Sequence, residues 1–218
     1  MNKKYNLVIF DLDGTVYDSY LSITKSFQHT LHKMCGIVQP DLEAFRDYIG
    51  PPLVDTLASY GLEGSELKTA LVTYRTFYMT TMDDTVLYDG MPDLLNSLKS
   101  AGIHLAIASS KAEWAISRIF ERDGLLDMFE FVAALQEGQN ENKSQAIARV
   151  LQHFKPEGDA VLSAAMVGDR MFDAVGARDN NIDFIAAGYG PGHRAEFDPY
   201  PLAFYAETVD DIKHYLLG

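Results

Sequence analysis

The sequence predicts an α/β fold: a doubly wound parallel sheet interrupted by one helical insertion. Three observations lead there. Short apolar runs without polar alternation recur along the chain, as strands do when both faces of a parallel sheet are covered. Amphipathic stretches with apolar residues every three or four positions lie between them. The first gap between apolar runs is far longer than the roughly 30 residues of a strand–helix–strand unit.

The first strand is "YNLVIF", ending at Asp11. The long gap follows. "SITKSFQHTLHKM" carries the stripe Ile23, Phe27 and Leu31, and "LKTALVTYRTFYMTTM" carries Leu67, Leu71, Tyr74 and Tyr78. Gly50, Pro51 and Pro52 must break the chain between these helices. A helical domain is therefore expected at residues 16–83, inserted into an α/β domain made of residues 1–15 and 84–218.

The α/β domain resumes with the helix "MPDLLNSLKSAG", which has Pro92 near its start, Gly102 as its stop and Met91, Leu94, Leu95 and Leu98 on one face. Strand "IHLAIAS" and a helix beginning near Lys111 come next, then strand "FEFVAAL". The helix "NKSQAIARVLQHF" places Ile147, Val150, Leu151 and Phe154 together. Strands "AAMVGD", "DFIAAG" and "AFYAET" and the helix "VDDIKHYLL" complete a Rossmann-like order.

Composition narrows the function. An apolar fraction of 47% over 218 residues supports a packed core. A formal net charge of −13 repels polyanions, so a nucleic acid polymer is not the expected partner. Small phosphorylated ligands stay open, because a site can be locally positive on an acidic protein. Cys35 is the only cysteine, so no intrachain disulfide forms. The apolar run before Asp11 is too short for a signal peptide, and no stretch reaches membrane-span length. A cytoplasmic protein, monomeric or homodimeric and free of the membrane, is expected.

Ligands of open parallel sheets bind beyond the carboxyl ends of the strands. Three polar clusters fall at such ends: Asp11 and Asp13, then Ser109 to Lys111, then Asp169 to Asp173. Lys143 opens a helix that can point into the same crevice. Asp11 and Asp13, two residues apart on an extended chain, face one side. This set suits phosphoryl transfer through an aspartyl phosphate. That chemistry needs a carboxylate nucleophile, a second carboxyl to move a proton, oxygen ligands for Mg²⁺, and hydroxyl and lysine groups for the phosphate oxygens. Asp11, Asp13, Asp169, Asp173, Ser109 and Lys143 can supply all of them.

"DLDGT", "SSK", "NKS" and "GDRMFD", in this order, resemble the four motifs of the haloacid dehalogenase superfamily. The insertion resembles its cap domain, and "IGPPL" and "LYDGMPDLL" resemble its phosphoglycolate phosphatase-like branch. The resemblance covers essentially the whole chain. It implies that Asp11 is the nucleophile and that Asp13 is the general acid and base, with its backbone carbonyl on Mg²⁺. It implies that Ser109, with Ser110, binds phosphate, and that Lys143 neutralises it. Asp169 would ligate the metal, and Asp173 would support it directly or through water. The dehalogenase branch lacks the second aspartate, so Asp13 favours a phosphatase of small phosphate monoesters.

Plainer readings stand beside these. Ser109 and Ser110 also suit a helix cap, and Lys111 reads equally well as a surface lysine. Trp114 and the tyrosines read as packing residues, and the six histidines follow no metal-ligand spacing. Arg46, Gly50 and Arg75 in the insertion are candidates for substrate specificity. The alternatives in function are a β-phosphoglucomutase-like sugar phosphate mutase and a non-catalytic phosphometabolite-binding protein. Ile49 before Gly50 and Leu53 after it replace the basic residues that the mutase resemblance would call for.

Overall fold

A computed structural model of the chain describes residues 4–135, 141–155 and 162–218. The residues before Lys4 and those at 136–140 after "FEFVAAL" lie outside the described residues.

Strand β1 (Leu7–Phe10) leads into a tight turn and the two-residue strand β2 (Tyr17–Asp18). Helix α1 (Tyr20–Cys35), a 3₁₀ segment (Leu42–Tyr48), α2 (Leu53–Ala58) and α3 (Gly64–Thr81) follow. The chain returns through β3 (Val86–Leu87), which pairs antiparallel with β2. Then come α4 (Met91–Ser100), β4 (His104–Ala112), α5 (Glu113–Asp123), β5 (Phe131–Leu135) and α6 (Lys143–His153). Strand β6 (Ala164–Gly168), α7 (Met171–Asp179), β7 (Asp183–Ala187), β8 (Phe204–Ala206) and α8 (Val209–Leu217) end the chain.

Among the described residues the main sheet has six parallel strands in the order β5-β4-β1-β6-β7-β8. Strand β1 is central and fully buried, which explains its unbroken apolar run. Successive side chains take opposite faces. Leu7 and Ile9 pack with Ile147 and Val150 of α6 and Ala174 of α7. Val8 and Phe10 pack with α4, α5 and α8. Each fully buried Val, Leu, Ile or Phe side chain among these contributes about 1.5–3 kcal/mol.

The helical stripes read from the sequence all turn inward. Ile23, Phe27 and Leu31 of α1 are buried, as are Tyr74 and Tyr78 of α3, and Leu67 and Leu71 pack against them. Two details differ from the sequence reading. The β2–β3 ribbon at the root of the insertion was not expected, since two residues leave no periodicity to read. The helix expected near Lys111 begins only at Glu113, because β4 continues through Ala112. Between Ala108 and Ala112 the pairing with β5 shifts register. The surplus residues bulge, and bulges re-aim side chains; Ser109, Ser110 and Lys111 lie there. Ser109 and Ser110 are therefore strand residues and not the helix cap.

Among the described residues no helix is long and apolar enough to cross a membrane.

Candidate active site

The chain moves from β1 to β4 and β5 on one side, then crosses to β6 and β7 on the other. This reversal beside β1 opens a crevice at the carboxyl ends of β1, β4 and β6. Phe10 is level with both Ile107 and Val167, so Asp11, Ser109 and Asp169 emerge at nearly the same height.

Asp11 is anchored by its amide, which donates to the Val167 carbonyl at 2.9 Å. The Leu12 amide donates to Asp11 Oδ1 at 2.7 Å. Gly14 then turns the chain at φ +86°, where a Cβ would stand 2.5 Å from Asp169 Oδ2. Only glycine allows this turn to lie against that carboxylate.

Lys143 is the first residue of α6, whose start is fixed by a capping box between Asn142 and Gln145. Its buried Nζ stands 2.8 Å from Asp11 Oδ1 and 3.0 Å from Asp173 Oδ1, and donates to the Ala108 carbonyl at 3.0 Å. Burial opposes its charge, but Asp11 and Asp173 hold it above the ordinary lysine range. Burial likewise pushes the Asp11 carboxyl up to about 7, against the pull of Lys143.

Asp169 follows β6, and Asp173 stands in the first turn of α7, where its Oδ2 accepts from the Arg170 amide at 3.1 Å. Asp11, Asp169 and Asp173 each bring a carboxylate oxygen within 4.8 Å of the others. Asp169 Oδ1 accepts from Thr15 at 3.0 Å, while Oδ2 is buried without a hydrogen-bond donor. Burial, together with Asp11 and Asp173, drives the Asp169 carboxyl well above its usual range. An all-oxygen trio of buried carboxylates with one orphaned oxygen fits a hard divalent cation such as Mg²⁺.

Asp13 lies apart from that trio. Its carboxylate accepts from Lys111 Nζ at 2.8 and 2.9 Å. The Lys111 side chain is largely covered, and its Nζ lies 4.6 Å from the Tyr78 ring centroid of α3. Sequence reasoning left Lys111 undecided; the only signal was its place in "SSK".

A cavity of about 110 Å³ separates the sheet from the insertion. Asp11, Asp13, Ser109, Ser110 and Lys111 line its floor, and Gly50 and Arg75 belong to its walls. Arg46 does not line it. Its Nε donates to the Pro191 carbonyl at 2.8 Å, and its Nη1 pairs with Glu43 at 3.0 Å. Arg46 is thus placed where it links the insertion to the sheet, away from the crevice where a specificity residue was expected.

Arg170 makes a similar link that the sequence did not suggest. Its guanidinium donates to the carbonyls of Ile49 and, at 3.3 Å, Asp47, and its Nε meets Glu196 at 3.1 Å. Gly50, at φ +105°, passes so close that a Cβ would lie 2.9 Å from Arg170 Cγ.

A family model described as haloacid dehalogenase-like hydrolase matches residues 8–187. The chain belongs to this family. Among similar proteins, the tyrosine-protein kinase PtkA of Mycobacterium tuberculosis is 36% identical over 217 residues, covering 96% of this chain and 72% of that protein. A 5'-nucleotidase of Pseudomonas aeruginosa is 31% identical over 216 residues, covering 98% of this chain and 96% of that one. A predicted phosphatase from Clostridium acetobutylicum superposes with a TM-score of 0.88 at 32% identity, covering 98% of each chain.

Proposed function

We propose that this haloacid dehalogenase-like hydrolase is a Mg²⁺-dependent phosphatase of small phosphate monoesters that works through an aspartyl phosphate on Asp11. The observation that carries the reading is the position of Asp11. It stands against Lys143 at 2.8 Å, beside two further carboxylates, with Asp13 two residues on. The relatives named 5'-nucleotidase and phosphatase support it.

In this reading an Asp11 carboxylate oxygen attacks phosphorus and the ester P–O bond breaks. The leaving oxygen takes its proton from the Asp13 carboxyl. Asp13, now a carboxylate, accepts a proton from water as that water attacks phosphorus, which releases phosphate and restores Asp11. Lys143 and the Ser109 and Ser110 hydroxyls hold the nonbridging oxygens. A divalent cation held by Asp11, Asp169, Asp173 and the Asp13 backbone carbonyl would offset the repulsion between Asp11 and the anionic phosphate. The insertion, residues 16–83, acts as a cap that limits water and meets the leaving group.

The test is phosphate release from a panel of monoesters with Mg²⁺ and with chelator, joined to mass spectrometry of the trapped phosphoenzyme. Phosphate release that depends on the metal, and a phosphoryl adduct on Asp11, are expected. An adduct on another residue, or full activity in chelator, overturns the reading. The likeness to a protein named a tyrosine-protein kinase favours one second reading, with a tyrosine hydroxyl as acceptor in place of water. Transfer of the phosphoryl group to tyrosine with little free phosphate would select it.

A further inference from the structure

The cavity wall supplied by the insertion carries little charge for a site that meets a phosphate ester. Among the described residues, Arg75 is the one charged side chain that the insertion brings to the lining. The rest of that wall is apolar or aromatic, with Leu53 and Leu71 beside the rings. The rings form a continuous column. Tyr48 packs edge-on against Phe27 at 5.1 Å, Phe27 meets Tyr74 at 4.9 Å, and Tyr74 stacks on Tyr78 at 6.1 Å between centroids. The column ends at the catalytic floor, since Tyr78 lies under the Lys111 ammonium that binds Asp13.

Outside the insertion the lining adds Trp114, near the start of α5. It is the chain's single tryptophan, and it is 37% exposed beside a floor whose residues are buried or half-buried. An indole that lines a cavity and stays partly open is unlike the packing residue that the sequence suggests.

From this geometry we infer that the leaving group carries a planar aromatic ring, which packs on Trp114 and the aromatic column of the insertion while the phosphate meets Asp11. The inference rests on the phosphatase reading and names its substrate class. Rings gain from edge-on and offset contacts with such walls. A polyhydroxylated leaving group would instead bury hydroxyls against apolar surface, which disfavours it. Tyr48 offers little help to a sugar, because its hydroxyl is engaged by Tyr60. Two kinds of monoester share this chemistry: aryl phosphates, with the ring on the ester oxygen, and nucleoside monophosphates, with the ring one sugar away.

The test compares kcat/KM of the Mg²⁺-loaded protein for phenyl phosphate, adenosine 5'-monophosphate, phosphoglycolate and glycerol 3-phosphate. At least one aromatic ester should exceed both aliphatic ones by about tenfold or more. Which aromatic ester leads tells how far the ring stands from phosphorus. Trp114→Ala should raise KM for the preferred aromatic ester by about tenfold and leave kcat/KM for the aliphatic esters unchanged, and Trp114→Phe should restore most of the loss. Binding is read separately: phenylphosphonate, which is not hydrolysed, should shift the Trp114 emission to shorter wavelength. Aliphatic esters turned over as well as aromatic ones overturn this inference and leave the phosphatase reading standing. No phosphate released from any ester overturns the phosphatase reading, and an unchanged Trp114 emission then removes the aromatic site as well.

Discussion

Lys111 donates to both carboxylate oxygens of Asp13, at 2.8 and 2.9 Å, from a side chain that is buried over the Tyr78 ring. One ammonium thus fixes the orientation of the proposed acid–base carboxyl and joins β4 to helix α3 of the insertion. Lys111→Met keeps the length of the side chain and removes the charge. The Asp13 carboxylate then loses its tether, so kcat should fall by about ten- to a hundredfold, within the share that general acid–base catalysis supplies. KM should move little, which steady-state kinetics on one ester would check. An unchanged kcat would reduce the Lys111–Asp13 pair to a structural contact.

Asp11→Asn replaces the attacking oxygen by an amide of nearly the same shape. A lost covalent nucleophile has no substitute, so kcat should drop by about a thousandfold or more. The fold should survive, since Asn retains an oxygen for the Leu12 amide that now bonds Asp11 at 2.7 Å. Circular dichroism would verify the fold, and a variant keeping a tenth of the activity would remove Asp11 from the nucleophile's place.

The carboxylate trio predicts an unusual pH dependence in chelator. Asp11 is pushed from 3.8 up to about 7, and Asp169 moves the same way. Between these values the folded protein binds protons that the unfolded chain has released. Stability is therefore fully present below the lower value and is lost as pH rises through the upper one. Metal-free protein should melt at a higher temperature near pH 6 than near pH 8. Added Mg²⁺ should flatten that trend, because a bound cation favours the charged carboxylates. His29, held below 6.5 by burial and by Lys33 and His32, acts in the opposite sense. It is shared with Asp11→Asn, so the difference between the two melting profiles removes His29 and reads Asp11 together with its effect on Asp169. Parallel profiles would contradict the assignment.

Much of this site was legible because catalytic groups break local rules in places where periodicity is strong. Two aspartates at the end of the fully buried β1 have no packing role, and a lysine at the positive start of α6 is unfavourable unless anions face it. The sheet itself followed from runs such as "LVIF" and "AAMVG", which are buried on both faces. Lys111 was not legible, since the register shift that turns it inward depends on pairing with β5. Arg170 was not legible either. Its partner Ile49 is distant in sequence, and no local pattern marks a contact between the insertion and the rest of the chain.

The last prediction separates the two arginines of the insertion, of which the sequence reading put Arg46 ahead of Arg75. Arg75 lies on α3 and lines the same cavity as Asp11 and Asp13. Arg46 is spent on the Pro191 carbonyl and Glu43, outside that lining. If the insertion carries specificity and the sheet carries chemistry, the two must respond differently. Arg75→Ala should raise KM for the preferred ester about tenfold, the loss expected for one hydrogen bond to a charged group of ~1.5 kcal/mol, and should leave kcat nearly constant. Arg46→Ala should leave KM unchanged and lower stability by about 1 kcal/mol, since its pair with Glu43 is largely exposed and its single bond to Pro191 is replaceable by water. Denaturant melts would read the second effect and substrate titrations the first. Arg46→Ala raising KM while Arg75→Ala does not would mean that the ester reaches past this cavity, and the division of labour between insertion and sheet would have to be redrawn around Arg46.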